Sequence, residues 1–181
     1  WAPTVKASTY QVRTVWSGDE AYRNSTSAAL LFNHLTVSSP YGTSVGDAWY
    51  LSGSKAEFSI TLSIVDQGNK TRRVFIGWSG DSTSKELSAS VTMDSAKTVT
   101  ANWKTQYHLT IDLKGGEVSG EGWYDIGTTA TVTATSPCKT VSEQSRLIFT
   151  GWSGDSNSTS KEIVLKMDKP CSLTANWKTQ Y

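Results

Sequence analysis

Two stretches of this chain can be laid over one another without a gap. Residues 34–107 align with residues 108–181 at a constant offset of 74. His34-Leu35-Thr36-Val37 answers His108-Leu109-Thr110-Ile111, and Trp49-Tyr50 answers Trp123-Tyr124. Phe75-Ile76-Gly77-Trp78-Ser79-Gly80-Asp81 answers Phe149-Thr150-Gly151-Trp152-Ser153-Gly154-Asp155, and Thr100-Ala101-Asn102-Trp103 answers Thr174-Ala175-Asn176-Trp177. Such a period means that one small unit is used twice, so any fold must work for both copies. The copies abut: Tyr107 runs into His108 with no Gly-, Ser- or Pro-rich spacer. The last strand of one copy should therefore lead straight into the first strand of the next, giving an elongated rod rather than beads on a flexible string.

Within each copy the hydrophobic period is two. Phe58, Ile60 and Leu62 alternate with Ser59, Thr61 and Ser63, and Val99, Ala101 and Trp103 alternate with Thr98, Thr100 and Asn102. Half-buried strands produce this pattern. The first copy is predicted to hold five strands, at about 34–39, 55–64, 72–78, 87–93 and 98–104, separated by turn chemistry at Tyr41-Gly42, Ser52-Gly53, Gly68-Asn69 and Ser79-Gly80-Asp81. No segment shows a 3.6-residue period, so the fold class is all-β, with β-repeats at 34–107 and 108–181. Residues 1–33 read as a partial repeat. Tyr10 to Asp19 resembles the third strand and its turn, and Thr26 to Phe32 a strand after it. Half a domain leaves unpaired edges. This segment should either pack on the first full repeat of its own chain or serve as a donor strand to a neighbouring copy.

Composition narrows the function classes. The 17 basic and 16 acidic residues nearly cancel, which leaves no electrostatic footprint for nucleic acid. The longest apolar run, Ala28 to Phe32, falls far short of the roughly 18–20 residues of a membrane-spanning helix. The chain opens on Trp1 rather than Met, as a processed or excised chain would. Its two cysteines, Cys138 and Cys171, are compatible with a disulfide, a metal half-site or free thiols. There is no Cys-x-x-Cys spacing and both histidines are distant, which argues against metal. A Cys138–Cys171 disulfide inside the second repeat is the expectation, worth roughly 3–4 kcal/mol in the chain-entropy model. Asn24, Asn69 and Asn157 each begin an Asn-x-Ser/Thr triplet in a polar stretch and are candidate glycosylation sites.

No constellation of catalytic residues emerges, and neither cofactor nor metal is expected. Gly77-Trp78-Ser79-Gly80-Asp81 resembles a nucleophile elbow only in part, since the fifth residue is Asp and neither a helix nor a His relay follows. A structural role fits better, with Trp78, Trp103, Trp152 and Trp177 as buried core anchors, Gly80 at positive φ and Asp81 bonding back to turn amides. His34 and His108 read as strand histidines. Asp155-Ser156-Asn157-Ser158 lacks the Gly and distal Glu of a calcium loop and reads as a solvated turn. Trp49-Tyr50 and Trp123-Tyr124 are the best candidates for stacking on sugar rings, but capping of the open ends of the small cores is the better reading of them.

Taken together, the Leu-Thr-Val first strand, the Phe-x-Gly-Trp-Ser-Gly-Asp motif, the Met93-Asp94 and Met167-Asp168 turns and the closing Thr-Ala-Asn-Trp strand resemble the divergent internalin B-type repeats of bacterial and archaeal surface proteins. The resemblance covers 34–181. It implies small β-rich modules related to a β-grasp-like fold, secreted or displayed at the cell surface, with stalk, spacer, adhesion or assembly roles rather than catalysis. The expected function is a non-enzymatic extracellular structural protein, a stalk or a filament or surface-layer subunit, polymerising head-to-tail with other copies of itself by strand exchange. The alternative is an adhesion or carbohydrate-binding module whose partners are surface glycans.

Overall fold

The structure is a computed structural model, and it describes residues 9–18, 25–136, 138–142 (backbone path) and 145–181. Every regular element among the described residues is a strand. β1 (Thr9–Val12), β2 (Val15–Trp16) and β3 (Ser25–Thr26) precede β4 (Leu30–Ser38), which runs from the N-terminal segment into the first repeat. The first repeat continues with β5 (Ser44–Val45), β6 (Ala48–Leu51), β7 (Lys55–Ile60), β8 (Ile64–Gly68), β9 (Thr71–Gly80) and β10 (Ser88–Thr92). β11 (Lys97–Leu113) crosses the Tyr107-His108 junction without a break, as the ungapped repeat predicts. The second repeat supplies β12 (Glu117–Ser119), β13 (Gly122–Asp125), β14 (Thr129–Thr135), β15 (Cys138–Ser142), β16 (Ser145–Gly154), β17 (Glu162–Lys166) and β18 (Cys171–Gln180). Two differences from the sequence reading matter. The single strand expected over 55–64 is two strands, because the inward alternation of Ala56, Phe58 and Ile60 ends at Ile60 while Leu62 and Ile64 face solvent. The Trp-Tyr pairs, outside the predicted strands, are themselves in strands β6 and β13.

The chain forms two compact units, one of residues 1–63 with 75–103 and the other of residues 64–74 with 104–181. Their limits do not follow the sequence period. The hairpin of β8 and the start of β9 is first-repeat sequence, yet it belongs to the unit built mainly from the second repeat.

In the first unit β4 pairs in parallel with β11, Leu35–Ser38 against Lys97–Thr100, and antiparallel with β1 and β6. A second small sheet, β10-β7-β5, covers its inner face. Alternation turns Leu35 and Val37, Ala56, Phe58 and Ile60, and Val99 and Ala101 into one core closed by Trp78 and Met93. The second unit repeats the plan: β11 pairs in parallel with β18, Leu109–Leu113 against Cys171–Ala175, under the sheet β12-β14-β17. Its core holds Leu109, Ile111, Ala130, Val132, Phe149, Trp152, Met167 and Leu173. Where a β-grasp would hold a helix against its sheet, each unit here holds three short strands.

Trp78 and Trp152 are buried as expected, 4% and 3% exposed, and each indole N–H donates to a loop carbonyl, Glu86 O and Ser160 O, both at 3.0 Å. Trp78 also meets Phe58 edge-on at 4.8 Å between ring centroids. Trp103 and Trp177 depart from the expectation: they are half-buried and pack on the margins of the cores. The Ser-Gly-Asp turn departs too. Gly80 does adopt a positive φ of 93°, and a Cβ there would lie 2.3 Å from Thr98 O. The Asp81 carboxylate, however, accepts the Thr98 N–H at 2.7 Å rather than bonding within its turn. Gly154 and Asp155 make the same lock on Ser172, so the turn fastens itself to the start of the closing strand.

In the N-terminal segment β1 pairs antiparallel with β4 of its own chain, from Thr9↔Asn33 to Val12↔Leu30. One further expectation is corrected: the Cys138–Cys171 disulfide is absent. Cys171 is a free, buried thiol that donates to Lys169 O at 3.4 Å. The sheet explains why. Cys138 pairs with Leu147, and Leu147 with Thr179, near the far end of β18 from Cys171. That separation is about 25 Å at roughly 3.3 Å per residue, whereas a bridge needs Cα atoms within about 7 Å.

Candidate functional site

The aromatic pairs lead to the most elaborate side-chain constellation in the chain. In β13, Trp123 lies opposite His108 and Asp125 opposite Gln106, so all four side chains stand on the outer face of the sheet. The Arg72 guanidinium sits over the Trp123 ring, 4.3 Å from its centroid, and His108 meets the same indole edge-on at 4.9 Å. Arg72 Nε donates to Gln106 Oε1 at 2.8 Å, Gln106 Nε2 to Asp125 Oδ1 at 2.7 Å, and Lys104 Nζ to Asp125 Oδ2 at 2.9 Å. The result is a polar ladder, Arg72–Gln106–Asp125–Lys104, running across three strands. The hydrogen bonds from Gln106 and then Lys104 hold the Asp125 carboxyl below the usual carboxylate range. The hairpin that brings Arg72 is tied in by the His108 N–H, which donates to Lys70 O at 3.0 Å.

The first unit builds the same site with different chemistry. Trp49 lies opposite His34, which meets it edge-on at 4.9 Å, and Tyr10 from β1 packs on Trp49 with ring centroids 4.3 Å apart. Tyr10 thus occupies the place of Arg72. By the 74-residue offset Phe32 stands for Gln106, Leu51 for Asp125 and Leu30 for Lys104. The ladder of the second unit is apolar in the first.

Trp49 and Trp123 are therefore engaged by the chain's own side chains and do not offer open faces to a sugar. Tyr50 and Tyr124 point the other way, against the cores, and their hydroxyls donate to Gly46 O at 3.0 Å and Gly120 O at 2.7 Å. Of the two readings of Trp49, Tyr50, Trp123 and Tyr124, capping fits this arrangement better than stacking on sugars, since Tyr50 and Tyr124 pack on the cores and both indoles are engaged by neighbouring side chains.

The remaining candidates fall elsewhere. Asn69 is exposed at the tip of the β8–β9 hairpin with φ 48°. Asn157 is exposed on the rim of an open groove of about 600 Å³ lined by Thr150, Gly151 and Asn176. Asn24 lies outside the described residues. Ser79 and Ser153 hydrogen-bond Asn102 and Asn176 of the neighbouring strand. Asp155 accepts from Lys169 Nζ at 2.6 Å and the Ser172 N–H at 2.7 Å, and these bonds lower its carboxyl. Burial raises the Cys171 thiol, and Asp155 adds to the rise. No group of His, Cys, Asp and Glu among the described residues is placed to hold a metal ion. Sequence reasoning missed Tyr10, Arg72, Lys104, Gln106 and Asp125. The repeat itself carries one part of the signal, the change from Leu51 to Asp125, while 30/104 and 32/106 correspond only when the offset is extended upstream of the aligned copies. That signal has meaning only once strand pairing shows that these positions are neighbours.

A family model described as the divergent InlB B-repeat domain matches residues 71–106 and 107–180. Comparison with curated proteins and with solved structures gives no significant match.

Proposed function

The chain belongs to the divergent InlB B-repeat family, and from that premise we propose that it is a non-catalytic structural spacer displayed at the cell surface. The observation that carries the reading is the continuity of β11, Lys97–Leu113, through the point where one repeat passes into the next. A module meant to move freely would be expected to place a flexible linker there. Small cores closed by Trp78 and Trp152, and turns locked onto the following strands, suit a part whose task is to hold shape. Pairing of β1 within its own chain favours a spacer over a filament assembled by exchange of that strand. Adhesion to surface glycans has less support, because the aromatic rings best suited to sugars are already engaged. Labelling of intact and permeabilised cells with an antibody against the folded chain tests the location. Signal on intact cells is expected. Signal confined to permeabilised cells would overturn it.

A further inference from the structure

The donor half of the Trp123 site occurs again in the second repeat, without its acceptor. The residues Trp16-Ser17-Gly18-Asp19 match Trp78-Ser79-Gly80-Asp81, which sets Tyr10 level with Arg72. Tyr10 packs on Trp49 of the first repeat, and Arg72 packs on Trp123 of the second. In both cases a third strand covers the indole of the repeat that comes after it. The 74-residue offset carries Arg72 to Arg146, Lys104 to Lys178 and Gln106 to Gln180. The first rung of the ladder is rebuilt there: Arg146 Nε donates to Gln180 Oε1 at 3.0 Å, across the pair that these residues form between β16 and β18. The other rungs are missing. Arg72, Lys104 and Gln106 are half-buried, whereas Arg146, Lys178 and Gln180 are exposed. Among the described residues no ring lies over Arg146, and no carboxylate meets Lys178 or Gln180. In β11 the strand edge from Gln106 onward is taken by β13, which brings Trp123 and Asp125. β18 pairs with β11 only over Cys171–Ala175, so at Gln180 the matching edge carries no strand among the described residues.

We propose that Arg146, Lys178 and Gln180 form a docking face for a further repeat of the same design, continuing from β18 as the second repeat continues from β11. Its Trp-x-Asp strand would supply the indole for Arg146 and the carboxylate for Gln180 and Lys178. Charge selects this occupant. Arg146 and Lys178 are two exposed cations, and Asp125 shows how an acid two residues after the Trp receives both an amide and an ammonium. A strand of the first repeat's kind, Trp49-Tyr50-Leu51, would offer the ring but no acceptor. It would cover Lys178 and Gln180 without partners, which is costly for polar groups taken out of water. The face therefore discriminates between the two kinds of repeat that the chain contains. This goes beyond the spacer reading, and its failure would leave that reading standing, because display at the cell surface does not depend on what Arg146 touches.

The test joins a second copy of residues 108–181 directly after Tyr181 of the full chain and follows urea unfolding by tryptophan fluorescence. Arg146→Ala is made in the extended chain and in the chain as it stands. In the extended chain the midpoint is expected to fall by roughly 1 M or more, through loss of a stacked cation and its hydrogen bond. In the unextended chain, where Arg146 is exposed, the shift is expected to stay below about 0.5 M. Asp→Leu at the added copy's counterpart of Asp125 is expected to lower the extended chain's midpoint as well. Equal shifts in the two chains, or no shift in the extended one, overturn the proposal. So does an unaltered midpoint after the Asp→Leu change. An added copy that shows no cooperative unfolding, while the original units unfold as before, overturns it too, because a face built for a further repeat would have seated it.

Discussion

Arg72 belongs by sequence to the first repeat, yet its loss should weaken the second unit. Arg72→Ala removes two interactions there. Stacking on Trp123 at 4.3 Å is worth about 0.5–1 kcal/mol for a partly exposed cation over an indole. The 2.8 Å bond to Gln106 adds roughly 1 kcal/mol, since one partner is charged but the site is half open to water. The expected loss is about 1.5–2 kcal/mol. With a denaturant slope near 1 kcal/mol per molar urea for a unit of this size, the midpoint should fall by roughly 1.5–2 M. Native-state hydrogen exchange read by mass spectrometry can assign the effect. Amides of β13, β14 and β17 should lose protection, and those of β7 and β10 should not. Arg72→Tyr should recover about half of the loss, because Tyr10 shows that a ring fits over the equivalent indole. A loss below about 0.5 kcal/mol, or lost protection confined to β7 and β10, would refute the reasoning.

Gly154→Ala should destabilise the second unit by about 2–4 kcal/mol, because a Cβ at φ 112° would stand 2.5 Å from Ser172 O; a thermal melt unchanged within error would contradict this. The Trp103 indole donates to Ser39 Oγ at 3.0 Å, whereas the Trp177 indole N–H is buried with no hydrogen-bond partner among the described residues and Leu113 stands in place of Ser39. Leu113→Ser should therefore stabilise by about 1 kcal/mol in urea titrations. Asp125 and Asp155 titrate below their unfolded values, so the stability they contribute is complete above the ordinary carboxylate range and is lost as pH falls through their lowered folded values. Asp125→Asn should flatten that acid limb of a stability–pH curve. Both cysteines should alkylate in denaturant without reductant, with Cys171 protected in the native state; intact mass after each treatment decides.

Much of the local architecture was legible in the residues alone. The 74-residue offset established two copies of one design, the period of two established strands, and the depth of Trp78 and Trp152 followed from their place in those strands. These are local properties, because alternation along a strand states which side chains share a face. Alternation does not state which strands are neighbours. That depends on pairing between residues far apart in the chain, and pairing decided the rest. It put Cys138 and Cys171 at distant points of one sheet and took Trp49 and Trp123 out of reach of a sugar by setting Tyr10 and Arg72 on them. It assigned 64–74 to the unit formed chiefly by the following repeat. It also gathered Tyr10, Leu30, Phe32 and Leu51 from three strands into one exposed face, a grouping that no window of the sequence contains. The physical reason is the cross-strand pair: two side chains opposite one another in a sheet interact strongly whatever their separation in sequence.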